Sequence, residues 1–178
     1  MDSNNMPIPG RDKCLELLKI YNTPAHIIRH CIAVSEIAIR IGKALNAKGY
    51  KLNLGLIEAA ALLHDIARLE DNHGLKGALI AEKHGYREVA ELIKLHMYYI
   101  TDPYKEKFDE QDILCLADRM VKEDEYVGLE VRMQYVLDKF KGDKEAIERI
   151  TQRLEENRIL KSRIEKIIDM KMDQLMSI

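Results

Sequence analysis

From Leu54 to Leu69 the chain reads LGLIEAAALLHDIARL, apolar nearly all the way round a helix of 3.6 residues per turn. Such a segment needs neighbours on every side, so it reads as a central helix wrapped by others. One pair inside it resists this. His64 and Asp65 interrupt a stretch that otherwise belongs to a protein interior. A buried carboxylate costs on the order of several kcal/mol unless it is paired, hydrogen-bonded or bound to a metal. Something must compensate.

The flanking segments supply the neighbours. Residues 1 to 10, with Pro7, Pro9 and Gly10, read as a loose arm, and a short helix follows through Leu15, Leu18 and Ile20. Thr23-Pro24 reads as an N-cap with proline at the first helical position, after which Ile27, His30, Val34, Ile37 and Ile41 recur at helical spacing until Gly49. Asp71-Asn72-His73-Gly74 punctuates the chain, and a helix then runs to His84-Gly85, where glycine suits a C-cap. Another helix is expected from Arg87 to Met97, then a loop from Tyr98 to Asp109 around Pro103. Asp109 or Glu110 opens a further helix, in which Ile113, Leu114, Leu116, Ala117, Met120 and Val121 enclose Asp118.

Beyond Asp124 the apolar patches are short. From Asp143 onward a charge-rich segment carries Ile147, Ile150, Leu154, Ile164, Ile168 and Leu175 near coiled-coil spacing, interrupted by Asn157 and Lys161. The expectation is an all-α fold: a compact helical bundle over residues 11–123 and a C-terminal helical extension over 124–178. That extension either packs back on the bundle or mediates assembly as a homodimer. The chemistry is expected to stop near residue 122.

Composition narrows the partners. Lys+Arg 28 against Asp+Glu 30 gives no net field toward nucleic acid or a membrane, although a local basic pocket remains open. Cys14, Cys31 and Cys115 are odd in number and form no CxxC, which argues against a disulfide framework. The opening MDSNNMPIPGRDK lacks a basic start followed by an apolar core, and no apolar run approaches the ~20 residues that span a bilayer. A cytoplasmic protein is expected, with neither a nucleic acid nor a membrane as partner.

His30, the His64-Asp65 pair, His96 and Asp118 share one property: each lies on or beside the apolar face of its expected helix. Four separated segments that each place a ligand-type side chain on an apolar face are hard to explain by core packing. Imidazoles and carboxylates together suit a divalent ion.

At three landmarks, TPAHIIRHCIAVSEIAIRIGKAL, AAALLHDIARLE and LADRM, the chain resembles the HD superfamily of metal-dependent phosphohydrolases, which are all-helical. The resemblance covers about residues 24–122 and implies His30, His64, Asp65 and Asp118 as core metal ligands. His73, in HGLKGA, and His96 resemble the histidines that two-metal members add. His26, one turn before His30, would line the pocket, while His84 reads as a helix C-terminal residue favoured by the dipole. Many relatives read HDIGK, and here Arg68 stands in the lysine position with its positive charge kept. No GYP motif is present, which argues against a cyclic dinucleotide phosphodiesterase of that kind.

The function so implied is hydrolysis of a phosphate ester of a nucleotide or related metabolite by a metal-activated water. One or two divalent ions would serve, with Mn, Fe, Zn, Co, Ni and Mg not distinguished. Asp65 would bind metal and hold the attacking water, and Arg68, Lys76 and Lys94 would contact phosphoryl oxygens. Two other readings stand beside it: an HD-type di-iron oxygenase, and a nucleotide-binding regulatory module without turnover.

Overall fold

Helix α3 (Leu54–Leu63) lies where its all-round apolar surface requires, with Ile57, Ala60, Ala61 and Leu62 sealed from solvent. It is wrapped by α1 (Arg11–Ile20), α2 (Ala25–Asn46), α5 (Arg87–Leu95) and α6 (Glu110–Asp118), while α4 (His73–Lys83) packs on α5. A hairpin of β1 (Val121–Lys122) and β2 (Glu125–Tyr126) follows, then α7 (Gly128–Lys139), α8 (Lys144–Ile168) and α9 (Met172–Ser177). This computed structural model describes residues 7–177, so the first six residues of the arm read over 1–10 lie outside the described residues. The fold is all-α apart from the hairpin, which pairs Val121 with Tyr126 and Lys122 with Glu125.

Two local expectations need correction. The central helix ends at Leu63 rather than Leu69, and the chain continues in tight turns closed by Ile66 N to Leu63 O, Arg68 N to Asp65 O and Glu70 N to Ala67 O. Thr23 does not cap α2. Its hydroxyl donates to the Ile66 carbonyl at 3.1 Å, so a residue that reads as a local cap instead ties the start of α2 to the turn carrying Asp65. The opening of α6 follows its sequence. Asp109 accepts from the Asp112 amide and Asp112 accepts from the Asp109 amide, a reciprocal capping box.

The C-terminal helices share the hydrophobic core. Ile150, Leu154, Leu160, Ile164 and Ile168 of α8 are buried against α2 and α7. Asn157, which breaks that apolar stripe, is fully buried; its Oδ1 accepts from Arg119 at 3.2 Å and its Nδ2 donates to the Arg153 carbonyl at 2.7 Å. No helix among the described residues is long and apolar enough to cross a membrane.

Glu165 fastens the end of the chain. It accepts from the Met172 amide at 2.9 Å and lies 2.9 Å from Lys161 and 3.1 Å from Lys171. Burial pushes its pKa up, but the Met172 hydrogen bond and the two lysines outweigh burial and hold it below the ordinary value of 4.5. A depressed carboxyl pKa contributes stability above the unfolded value, and that contribution disappears as pH falls through the folded one. Glu165→Gln is therefore expected to cost about 2 kcal/mol at neutral pH. Urea unfolding of the two proteins should show that gap closing as pH drops below 4.5.

Candidate metal centre

Five segments deliver six side chains to one point. His30 comes from the second turn of α2, His64 and Asp65 from the end of α3, and His73 is the first residue of α4. His96 caps the C-terminus of α5, and Asp118 is the last residue of α6. Asp65 stands between two sets. Its Oδ2 lies 3.6 Å from His64 Nε2, while its Oδ1 lies 3.3 Å from His73 Nε2 and 3.7 Å from His96 Nε2. Asp118 Oδ1 is 3.1 Å from His30 Nε2 and 3.7 Å from His64 Nε2. Two groups result, His30–His64–Asp65 and Asp65–His73–His96, each with donor atoms within 4.8 Å of one another.

The backbone orients three of the rings. Nδ1 of His30, His64 and His96 lies 2.7, 2.7 and 2.6 Å from the carbonyls of Glu123, Ala61 and Ile93 respectively. Each Nδ1–H donates outward, which turns Nε2 inward, the arrangement that metal-ligating histidines use. Glu123 adopts φ 56 at the hairpin turn, a left-handed conformation that costs a non-glycine residue roughly 1–2 kcal/mol. That turn aims its carbonyl at His30.

The centre fits a cation. His64 Nε2, Asp65 Oδ1 and His96 Nε2 are buried atoms with no hydrogen-bond partner, a costly arrangement for a core and an ordinary one for ligands facing an ion. Electrostatics agree with this reading. Burial lowers the His64 pKa below its ordinary value. At Asp65 burial favours the neutral acid, but His64, His73, His96 and Arg68 win and hold the carboxyl well below the carboxylate range. Burial also opposes charge at His30, yet the Asp118 hydrogen bond and charge raise its pKa, while Asp118 itself is held low by His30 and His64 against its own desolvation.

Close helix approach makes the second group possible. A Cβ on Gly74 would stand 3.3 Å from the Ile93 carbonyl and 3.4 Å from His96 Cε1, and one on Gly77 would stand 3.1 Å from Ile93 Cγ2. Only glycine lets α4 lie against α5 this tightly. Gly74→Val is expected to cost about 1–3 kcal/mol by overpacking and to push His96 from Asp65. Elemental analysis should show reduced metal retention in that variant, and thermal melting should show the lost stability.

The remaining expected site residues divide. His26 and Arg68 line a cleft of about 520 Å³ that opens over His30 and Asp65. Lys76 and Lys94 do not. Lys76 pairs with Glu70 at 2.7 Å in solvent, and Lys94 is exposed, two residues before the buried His96. His84 sits elsewhere, against the Tyr21 hydroxyl at 3.1 Å.

The cleft itself extends past residue 122, where the chemistry is expected to stop. Arg132, Tyr135 and Lys139 of α7 line the same cleft, together with Lys122. Lys122 and Lys139 place their ammonium groups 4.6 and 4.4 Å from the Tyr135 ring centre. Their signal in the sequence was the spacing i, i+3, i+7 on one helix face, which a search for apolar patches passes over.

A helical protein with paired histidine–aspartate groups around a shared carboxylate defines a class. Residues 27–123 match the HD domain family, and the chain belongs to that family. Among curated proteins it is similar to an uncharacterized protein of Methanocaldococcus jannaschii, 36% identical over 85 residues, covering 46% of this chain and 50% of that one. It is also similar to the tRNA (cytidine(56)-2'-O)-methyltransferase of Thermoplasma volcanium, 30% identical over 161 residues, covering 80% of this chain and 45% of the enzyme. The corresponding methyltransferase of Picrophilus torridus is 30% identical over 142 residues, covering 71% and 40%. The chain thus spans half the length or less of these relatives. No solved structure matches it. The family match ends at 123, so α7, α8 and α9 lie beyond it.

Proposed function

We propose that this chain is a metal-dependent phosphohydrolase that cleaves a phosphate ester of a nucleotide or related metabolite. One observation carries the reading: Asp65 presents its two oxygens to two imidazole sets at the foot of a cleft rimmed by cations. His30, His64, Asp65 and Asp118 would hold one divalent ion, and Asp65, His73 and His96 a second. Bound there, the ions supply an acidified water and neutralise charge on phosphoryl oxygens.

The protein's own groups do the positioning. Arg68 Nη1 donates to His73 Nε2 at 3.1 Å and lies 3.6 Å from Asp65 Oδ1. His73 would hold an ion through Nε2, and the Arg68 guanidinium lines the cleft, where it can grip two phosphoryl oxygens at once. Lys122, Arg132 and Lys139 add charge complementary to the same oxygens, and His26 adds a further polar contact at the rim. The arginines and lysines of this lining support phosphoryl chemistry, because they complement the charge of a phosphoryl group.

The methyltransferase-named relatives support a second reading. They match this chain over less than half their length, and the chain would then be a nucleotide-binding module that regulates tRNA chemistry performed elsewhere. Elemental analysis and a broad phosphate-ester screen on the purified protein decide between them. The expected result is phosphate release that a chelator abolishes and a divalent ion restores. Oxygen consumption with an iron-dependent spectrum points to the oxygenase. Retained nucleotide without turnover of any ester points to the regulatory module.

A further inference from the structure

Beside the metal centre lies a second cavity of about 320 Å³, with His96 and Asp118 at one end and Arg119, Arg132, Lys139 and Arg153 around it. Resting on the phosphohydrolase reading, we propose that α7 and α8 build a second phosphate subsite here, and that the substrate is a small molecule carrying a phosphate chain rather than a lone monophosphate.

Five cations line this cavity; Arg68 lies 3.6 Å from Asp65, while Arg119, Arg132, Lys139 and Arg153 form no ion pair with a carboxylate among the described residues. Arg119 is only 7% exposed, and its guanidinium is held by neutral oxygens, Asn157 Oδ1 at 3.2 Å and the Tyr99 carbonyl at 3.1 Å. Its charge is therefore buried without a paired carboxylate, and its two hydrogen bonds go to neutral oxygens. Arg132 Nε is buried and has no hydrogen-bond partner. Burial and the neighbouring Arg119 charge together lower the Arg153 pKa, the mark of like charges left facing each other.

Unpaired lysines and arginines are common on the surface of this chain; these four are set apart because they meet around one cavity, with Arg119 buried there. Buried uncompensated charge is costly for a fold, and an anionic ligand removes the cost.

The position suits a substrate that continues from the metal centre. His30, Asp65, Arg68, Arg132 and Lys139 line both this cavity and the cleft, so the two spaces meet at the shared aspartate. Its size falls at the lower end of small-molecule sites, about 300–1,000 Å³, which suits a short phosphate chain better than a polynucleotide strand. Arg132, Lys139 and Arg153 also lie outside the residues that match the family. Three of the four unpaired cations of the subsite thus come from helices beyond the matched domain.

Isothermal titration of the purified full chain with inorganic phosphate and with pyrophosphate tests the assignment. Metal content is measured before and after, which separates binding from stripping of ions. Pyrophosphate is expected to bind about tenfold or more tightly than phosphate, the scale of an added charge-assisted contact. Arg153→Gln and Lys139→Gln should each remove that advantage with melting temperature and metal content retained. Lys139 is exposed, so its variant keeps the test decisive if Arg153→Gln fails to fold.

Equal affinity for the two anions, or an advantage that survives in both variants, overturns the proposal. A tRNA transcript that outcompetes pyrophosphate and loses affinity with the same substitutions overturns the small-molecule assignment. Failure of the ester screen with the pyrophosphate advantage intact removes the hydrolase reading and leaves the subsite standing.

Discussion

Asp65→Ala is expected to strip both metal groups at once. Asp65 is the one side chain common to the two groups, with one oxygen toward His64 and the other toward His73 and His96. Loss of a partner that merely orients a ligand costs about 10–100-fold in metal affinity. Loss of a shared donor removes more than orientation, so a drop of about 100-fold or greater is expected in each group. His73→Ala is the matched control, because His73 belongs to a single group.

Elemental analysis of the two variants beside the parent protein reads the result directly. The expected order of metal content is parent, then His73→Ala, then Asp65→Ala, with phosphate release following it. Circular dichroism checks that both variants fold. Unchanged metal content in Asp65→Ala would falsify the proposed centre, whatever its activity.

Truncation after Gly142, which removes α8 and α9, is expected to leave a chain that does not fold. It takes away Ile150, Leu154, Leu160, Ile164 and Ile168, all buried against the rest of the chain. At about 1.5–3 kcal/mol for each buried aliphatic side chain, the loss is roughly 7–15 kcal/mol. Whole domains are stable by only about 5–15 kcal/mol. Arg119 would also lose the Asn157 oxygen that satisfies it.

A point substitution checks the same claim more gently. Leu160 is completely buried, and Leu160→Ala is expected to cost about 2–5 kcal/mol in urea unfolding. A truncated protein with the parent's melting temperature would show that the α8 stripe contributes nothing to the shared core.

Much of this was legible in the residues. The all-round apolar run of α3, the glycine stop after His84 and the acidic opening of α6 each act within a few positions, so local chemistry announces them. The histidines and aspartates on apolar faces were visible for the same reason, since a polar group on an inward face is anomalous at any distance. Thr23 reads as a cap because its hydroxyl oxygen can accept from an amide of the helix that follows, whereas the folded chain uses that hydroxyl as a donor to the Ile66 carbonyl, far away in sequence. Lys76 and Lys94 were expected at the site from charge alone, whereas Lys76 pairs with Glu70 in solvent and Lys94 is exposed. The α7 cations were missed because they gain meaning only when their helix folds back over residues a hundred positions earlier.

The amino-acid order by itself determined that this chain is helical and which polar side chains its helices must bury, because hydrophobic periodicity and the cost of burying charge are properties of short segments. Tertiary structure alone decided that Asp65 stands between two imidazole sets and that α7 and α8 wall a cationic cavity beside them. Those are distances between residues far apart in the chain, set by how tightly helices pack, and no local rule contains them.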